Sequence, residues 1–220
     1  NAGPILLQCL TQGDQLKPGS HKSGGTGLFL ENLASELTDS QCWQSIITLQ
    51  LVPSGDLGHK LIRLIDNNHW LVKVPVPSLK LTYNNRLRFS DLTMARRIRT
   101  VIEQLDFEID LAHLRFNTRG SLALAYVCQQ CSIPFLHTAA PDPHNTFTDN
   151  QGQLRTDFSA EEQQARLDSV YVADQLNARA SHLVGQGLSN KRRFQKYFPG
   201  LGQKRMSEKF TPLPHGIPVC

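Results

Sequence analysis

The stretch "ILLQCLTQGDQLKPGSHKSGGTGLFLENLASEL", residues 5–37, decides the fold of this chain. Its opening apolar run, ILLQCL, predicts a buried β-strand at residues 5–10. Farther along, apolar residues recur at the spacing of one helix face, at Leu30, Leu33, Ala34 and Leu37. A buried strand that leads through a loop into an amphipathic helix is the first half of a βαβ unit, so the stretch predicts a parallel sheet.

The remaining sequence repeats this alternation of strand and helix. Apolar runs predict further buried strands at 45–52, 70–76, 110–116, 133–139 and 181–185. Between most of them, helical periodicity predicts helices around 94–105, over 120–131 and over 160–178, the last opened by Ser159. Such alternation implies parallel pairing and right-handed crossovers. The sequence therefore predicts an α/β fold: a Rossmann-like, doubly wound, mostly parallel sheet with helices on both faces.

Composition and charge narrow the classes of partner. The chain has 220 residues, of which 40% are hydrophobic and 19% are charged, and this is typical of a globular protein. It holds no apolar run of about 18 residues, so no membrane span is expected. The formal net charge is +4, but the aromatic residues are few and are not interleaved with the basic ones. A nucleic-acid partner is therefore not expected.

The cysteines favour a reducing compartment. Their odd, scattered set disfavours a disulfide framework, and we expect a cytoplasmic protein. The set comprises Cys9, Cys42, Cys128, Cys131 and Cys220. Cys128 and Cys131 form a C-x-x-C pair, but no second pair accompanies them at zinc spacing. We predict two small residues packed in or beside the core, with no metal and no cofactor.

The glycine-rich segment KSGGTG, residues 22–27, leads into the first predicted helix. The dinucleotide fingerprint fails there, because Leu30 stands where the third glycine belongs and no acid closes the second strand. A Walker loop also fails, because no Gly-Lys-Ser/Thr follows. An NAD-dependent oxidoreductase is thus disfavoured. Backbone N–H groups at the helix start near Gly27 attract an anion, with Lys22 adding charge; alternatively, the glycines only turn the chain.

The ordered motifs resemble the retaining nucleotide-sugar glycosyltransferases of the GT-B fold, the family that includes sucrose-phosphate synthase. In residues 5–37 the family's Gly-Gly turn and following helix are matched by Gly24, Gly25, Leu33, Ala34 and Leu37. In the block "DLAHLRFNTRGSLALAYVCQQCSIPFLHTAAPDPH" the matching residues are Asp110, His113, Ile133, Pro134 and Thr138. The segment from Glu161 to Tyr197 and the closing "FTPLPHGIPVC" also agree, so the resemblance covers nearly the whole chain.

The resemblance implies a two-domain enzyme of which this chain is one half. Such enzymes hold their active site between two Rossmann-like domains, and the second domain carries most contacts to the nucleotide sugar. We expect residues 1–213 to be the N-terminal, acceptor-side domain and residues 214–220 to begin the linker. The missing C-terminal domain would pack on the ligand-facing edge. Together they would transfer a sugar from a nucleotide-sugar donor to a sugar, sugar phosphate or other small acceptor; alone, the chain would be inactive.

The resemblance also implies which residues form the site. Many relatives carry a histidine two residues after the strand threonine, where this chain has Ala140. We expect His144, in the polar loop 141–158, to take the catalytic role, and His137 to lie in the core. The expected substrate-binding residues are Lys22, Gly24, Gly25, Arg115, Arg119 and Thr138.

Each of these roles has a plainer alternative. For His144 the alternative is a solvated loop side chain, and for Arg115 and Arg119 it is pairing with neighbouring acids. The basic segment 190–205, which contains no acid, is expected to face a phosphate or an acidic surface, or else only solvent. For the whole chain the alternative to an enzyme is a non-catalytic Rossmann-like module that binds a sugar, a phosphate or a partner.

Overall fold

The computed structural model describes residues 3–10, 25–53, 61–76, 86–138, 147, 151, 153–185 and 208–212. Contacts between residues divide the chain into two compact units. The first unit comprises Asn1–Leu114 and Arg119–Pro134, and the second comprises Arg115–Thr118 and Phe135–Cys220. The domain bounds expected from the sequence, 1–213 and 214–220, stay a prediction.

The first unit contains five strands and three helices among its described residues. In chain order they are β1 (Ile5–Leu10), α1 (Gly25–Asp39), β2 (Ser45–Pro53), β3 (Ile62–Asp66), β4 (His69–Val76), α2 (Arg86–Gln104), β5 (Leu111–Leu114) and α3 (Arg119–Gln130). The strand order is β3-β4-β2-β1-β5. The pairs β1–β2, β1–β5 and β2–β4 are parallel, and only β3 runs antiparallel to its neighbour.

The winding of this unit puts helices on both faces of its sheet. The chain passes from β1 through α1 to β2 on one side, and from β4 through α2 to β5 on the other side of β1. Right-handed crossovers in opposite directions place α1 on one face and α2 with α3 on the other. Contacts agree: Ala34 of α1 packs with Leu6 and Ile46, whereas α2 packs against α3. The predicted doubly wound, mostly parallel α/β fold is confirmed.

Strand β3 was not predicted from the sequence. It forms a hairpin with β4 through the two-residue turn Asn67–Asn68, whose φ angles are 26° and 67°. Two consecutive positive φ values are typical of the tight turns that match strand twist, and asparagine tolerates them. Four of the five β3 residues are exposed, and Arg63 interrupts its apolar residues. The strand therefore lacks the continuous apolar run by which the other strands were recognised.

The second unit contains one helix and three strands among its described residues. They are β6 (Phe135–Thr138), α4 (Ala160–Arg179), β7 (His182–Gly185) and β8 (Phe210–Pro212). The strands pair in parallel in the order β6-β7-β8. Ser159 caps α4, because its hydroxyl accepts from the Glu162 N–H at 3.2 Å while the Glu162 carboxylate accepts from the Ser159 N–H at 2.9 Å. The helix opened by Ser159 is thus confirmed.

A chain of buried polar groups crosses the first unit beneath α1. The Gln8 amide donates to the Thr48 hydroxyl at 2.8 Å and to the Leu30 carbonyl at 3.2 Å. The Thr48 hydroxyl lies 2.7 Å from Nε2 of His69. Because Thr48 already accepts from Gln8, its own proton is available to His69. Burial lowers the pKa of His69 to about 4, so the ring is neutral and accepts this proton at pH 7.

We expect Ser159→Ala to lower the free energy of unfolding by about 1 kcal/mol, because the first turn of α4 loses the hydrogen bond to Glu162. Ser159→Asn keeps a capping oxygen and should stay within a few tenths of a kcal/mol of the original chain. Urea denaturation of the three proteins measures the difference. Equal stability of all three would show that the cap contributes nothing.

We expect the stability of the chain to fall as the pH is lowered from about 6.5 towards 4, because unfolded His69 binds a proton that the folded ring rejects. The pKa difference corresponds to about 3 kcal/mol, present in full above pH 6.5. His69→Gln keeps an acceptor for Thr48 and should remove this part of the acid decline, whereas His182→Gln should retain it. Urea denaturation at several pH values tests this, and identical acid declines in both variants would contradict it.

Candidate ligand-binding site at the carboxyl ends of the strands

The winding of the first unit reverses direction between β1 and β5. These two strands are parallel neighbours, but the connection after β1 runs to β2 on one side of β1, whereas β5 lies on the other side and is reached from β4 by crossing back over β1. Open α/β sheets bind ligands in the crevice outside the carboxyl ends of the strands at such a reversal. Helices α1 and α3 follow β1 and β5 and lie on opposite faces, so their N-termini border this crevice. It is the candidate site.

Two predicted site residues begin these helices. Gly25 is the first residue of α1, and Arg119 is the first residue of α3. Neither helix has an acidic residue in its first turn. Because the first N–H groups of a helix have no partner within it, both helix starts present positive potential towards an anion at the carboxyl edge. The backbone of Gly25 lies at one of these helix starts, and its binding of an anion stays a prediction.

Arg119 makes a buried ion pair with Asp91 of α2. The guanidinium Nη1 donates to Asp91 Oδ2 at 3.0 Å, and the two side chains are only 14% and 6% exposed. A cation in the first turn of a helix opposes its dipole, and Asp91 offsets that cost. The pair ties α2 to α3. Arg119 thus pairs with an acid, which is the alternative role considered for it in the sequence analysis. Binding of substrate by Arg119 stays a prediction.

The other oxygen of Asp91 has no partner among the described groups. Oδ1 is buried and accepts no hydrogen bond. Burial raises the pKa of Asp91 above its ordinary value, and the nearby charge and hydrogen bond of Arg119 act in the opposite direction. A buried carboxylate with one spare oxygen is costly unless its cation stays in place. Each of the two buried charges, the Asp91 carboxylate and the Arg119 guanidinium, is therefore stabilised by the other.

Two further predicted site residues belong to the second unit. Thr138 is the last residue of β6 and is buried, opposite Val184 of β7. The Arg115 guanidinium lies 5.5 Å from the centre of the Phe116 ring, and burial lowers the pKa of this guanidinium. Their roles in binding substrate stay predictions.

His137 lies in the core, as the sequence indicated. It is fully buried, and its Nδ1 donates to Oδ1 of Asn177 on α4 at 2.7 Å. The partner oxygen can only accept, so this bond assigns the proton to Nδ1. His137 therefore joins β6 to α4 and does not supply the missing histidine of the Ala140 position.

Lys22, Gly24 and His144 lie outside the described residues, as do Ala140 and the basic segment 190–205. The C-terminal end of the loop that carries His144 is described. There the Phe158 ring meets Phe147 edge-on, with ring centres 6.1 Å apart. The guanidinium groups of Arg155 and Arg166 lie over the Phe158 ring, 4.7 and 4.1 Å from its centre. Arg155 also binds both carboxylate oxygens of Asp157. Cation–π contacts thus join this end of the loop to the start of α4.

Asp110, which matches the first position of a family motif, has a structural contact here. Its carboxylate Oδ2 accepts from the backbone N–H of Ile5 at 2.8 Å, and its own N–H donates to the Ile5 carbonyl at 3.1 Å. These bonds join the amino ends of β1 and β5. They lie at the edge of the sheet opposite the candidate site, so they set the register of the two strands that border it.

The cysteines pack as predicted. Cys128 is buried on α3, and Cys131 is half-buried just beyond it. Burial raises the pKa of both Cys9 and Cys128 to about 12, so these thiols are poor nucleophiles at neutral pH. In the part of the chain that the structure describes, no group of three histidine, cysteine or acidic side chains is arranged to hold a metal. No helix within those residues is long and apolar enough to cross a membrane.

Asp91 is the residue of this site that the sequence analysis missed. It lies three residues before Met94 and seven before Ile98, both of which are fully buried on α2. An acid on the buried face of an amphipathic helix is a recognisable signal, because a lone carboxylate there needs a cation. The sequence does not identify which arginine supplies it, since Arg119 is 28 positions away.

Comparison with solved structures identifies the fold. Sucrose-phosphate synthase from Thermosynechococcus elongatus matches with a TM-score of 0.60 and 12% identity, over 97% of this chain and 48% of that chain. A UGT transferase from Siraitia grosvenorii in complex with UDP matches at 0.54 and 12%, over 96% and 50%. UDP-GlcNAc 2-epimerase from Methanocaldococcus jannaschii matches at 0.50 and 12%, over 95% and 45%.

At these identities the likeness shows the fold. It is the Rossmann-like fold found in glycosyltransferases and in a nucleotide-sugar epimerase. The chain spans about half the length of each of these three solved chains. No protein-family profile matches the sequence, and no curated protein sequence matches it.

We expect Asp91→Asn to lower the free energy of unfolding by about 3 kcal/mol, because it leaves the buried Arg119 without its counter-charge. The double variant Asp91→Leu, Arg119→Met removes both charges and should recover at least half of that loss. Guanidinium denaturation of the single and double variants measures both values. A double variant less stable than Asp91→Asn would contradict a structural ion pair.

Proposed function

We propose that this chain is the acceptor-side domain of a glycosyltransferase. The complete enzyme transfers a sugar from a nucleotide-sugar donor to a sugar, sugar phosphate or other small acceptor, and retains the configuration at the anomeric carbon. The observation that carries the proposal is the crevice between β1 and β5, bordered by the N-termini of α1 and α3. The fold shared with sucrose-phosphate synthase and the UGT transferase supports it.

The crevice suits a phosphorylated ligand. Helix N-termini bind phosphate through backbone N–H groups, and Gly25 lets a ligand approach the backbone of α1 closely. Lys22 and Gly24 precede Gly25 in sequence and extend the same anion site in our proposal. Arg119, at the start of α3, adds a guanidinium group for phosphate or sugar hydroxyls. Arg115 and Thr138, which belong to the second unit, are further substrate-binding residues in our proposal. Guanidinium groups suit this task because they form paired hydrogen bonds with phosphate oxygens.

In this reaction the protein orients the reactants and stabilises the charge that develops. In a retaining transfer the acceptor hydroxyl attacks the face that the nucleotide leaves, and the departing phosphate helps to take the proton. The developing charge lies on that phosphate, where positioned N–H groups and cations stabilise it. His144 lies next to the reacting sugar in this scheme and orients it. Donor contacts come mainly from a second domain that packs on the carboxyl edge.

Calorimetric titration of this chain with a panel of sugar phosphates, free sugars and nucleotide sugars tests the proposal. At least one sugar phosphate should bind with a dissociation constant below about 1 mM, and its free sugar should bind at least tenfold more weakly. Lys22→Gln should lower the affinity for the sugar phosphate about fivefold, because one ionic contact is lost. Arg63→Gln, on the far edge strand β3, should leave this affinity unchanged.

The same panel distinguishes the alternatives. Tight binding of a nucleotide sugar by this chain alone would contradict the proposed division between donor and acceptor domains. A transfer assay on the natural full-length protein completes the test, and His144→Ala should there reduce transfer more than it reduces acceptor binding. Binding of a sugar phosphate without transfer by the full-length protein would favour the non-catalytic module.

A further inference from the structure

A groove of about 360 Å³ lies on the first unit between the β3–β4 hairpin and the C-terminal half of α2. We call it the β3–α2 groove. Strand β3 is at the edge of the sheet, and β4 and β2 separate it from β1. The groove is therefore distinct from the crevice at the carboxyl ends of β1 and β5, and its function does not depend on the proposed glycosyl transfer.

The floor of the groove is apolar and open to solvent. It is formed mainly by Leu61, Ile62, Val72, Val101 and Leu105. Leu61 and Ile62 are 50% and 47% exposed, although both face a concave surface where a ligand would cover them. Contiguous exposed apolar side chains in a groove are a cost in water that a bound apolar group removes.

The rim of the groove is positive. The α2 residues Arg96 and Arg97 line it, and none of its described lining residues is acidic. Lys73 also borders the groove, but its side chain belongs to the face of β4 that α1 covers, as do those of His69 and Leu71. Arg97 Nη1 donates to the Pro75 carbonyl at 3.2 Å, and this bond holds the α2 side of the rim against β4. Cations grouped beside an apolar floor attract an anionic group.

The neighbouring charges on α2 do not neutralise this rim. Glu103 is engaged with Arg99 at 2.7 Å, and neither of these two side chains lines the groove. Among the residues that the structure describes, the C-terminal half of α2 therefore combines positive charge with an apolar surface only on the side that faces the groove.

The size of the groove favours a small ligand over a protein partner. Its volume falls in the range of small-molecule sites, which begin at about 300 Å³. Eleven of the described residues line it, whereas a stable protein interface involves about 20–30 residues on each side. The concave floor also fits a small molecule better than it fits the flat surface of a protein partner. The dimensions fit a molecule with one ring system or a short chain.

We propose that the β3–α2 groove is a second ligand site and that its ligand is a small amphipathic anion. The apolar body of this ligand covers Ile62, Val72 and Val101, and its carboxylate, sulfonate or phosphate group lies against Arg96. Burial of the apolar body supplies most of the affinity, and the rim selects the charged end.

Fluorescence titration of the whole chain with 1-anilinonaphthalene-8-sulfonate, an amphipathic anion, tests this site. The dye should bind at one saturable site, and its uncharged counterpart N-phenyl-1-naphthylamine should bind about fivefold more weakly because it gains nothing from the rim. Ile62→Glu should lower the affinity for the dye at least tenfold, since it puts a like charge on the apolar floor. Arg96→Gln should lower this affinity about three- to fivefold.

Matched controls come from the same elements. Leu64→Glu changes an equally exposed apolar residue of β3 that does not line the groove, and Arg99→Gln changes an arginine of α2 outside the rim. Both should leave dye affinity within about twofold, and thermal denaturation checks that all four variants fold. Equal effects of the groove variants and their controls, equal affinity for the uncharged dye, or the absence of a saturable site would overturn the proposal.

Discussion

The parallel pairing of β1 with β2 and β5 is the constraint on which the rest of the first unit depends. Leu7 and Cys9 of β1 are buried on the side that α3 covers, while Leu6 and Gln8 are buried beneath α1. A shift of one residue in this strand would exchange the two sets, since successive side chains point to opposite faces. Gln8 would then lose Thr48, and the polar chain to His69 would break. The register is held at the amino end by Asp110, which binds the backbone of Ile5.

The same arrangement separates structural polar groups from those available to a ligand. Gln8, Thr48 and His69 are hydrogen-bonded to one another inside the sheet, and Asp91 with Arg119 joins α2 to α3. Buried groups of this kind are costly when one member is removed, so they restrict the protein to one packing. The helix starts at the crevice are different, because their first N–H groups have no partner within the helix. A phosphate bound there adds interactions without breaking an internal pair.

The crevice and the β3–α2 groove differ in the chemistry that they offer. The crevice presents backbone groups and helix dipoles at the reversal of winding, which suits phosphate and sugar hydroxyls. The groove presents apolar side chains with a basic rim, at an edge strand that α2 leaves uncovered. An edge hairpin with exposed apolar residues is a liability unless something covers it. The two sites therefore call for different ligands, and each can be tested without the other.

The sequence by itself determined the elements and the class of fold. Continuous apolar runs identified β1, β2 and β4, and the spacing of Met94, Ile98 and Ile102 identified the buried face of α2. These signals are local, because the spacing of apolar residues within one short segment indicates which of them are buried on a strand or a helix face. Only the tertiary structure decided the antiparallel edge strand β3, the pairing of Asp91 with Arg119 and the β3–α2 groove. Each of these depends on which distant segments the fold brings together, and no pattern within one segment records that choice.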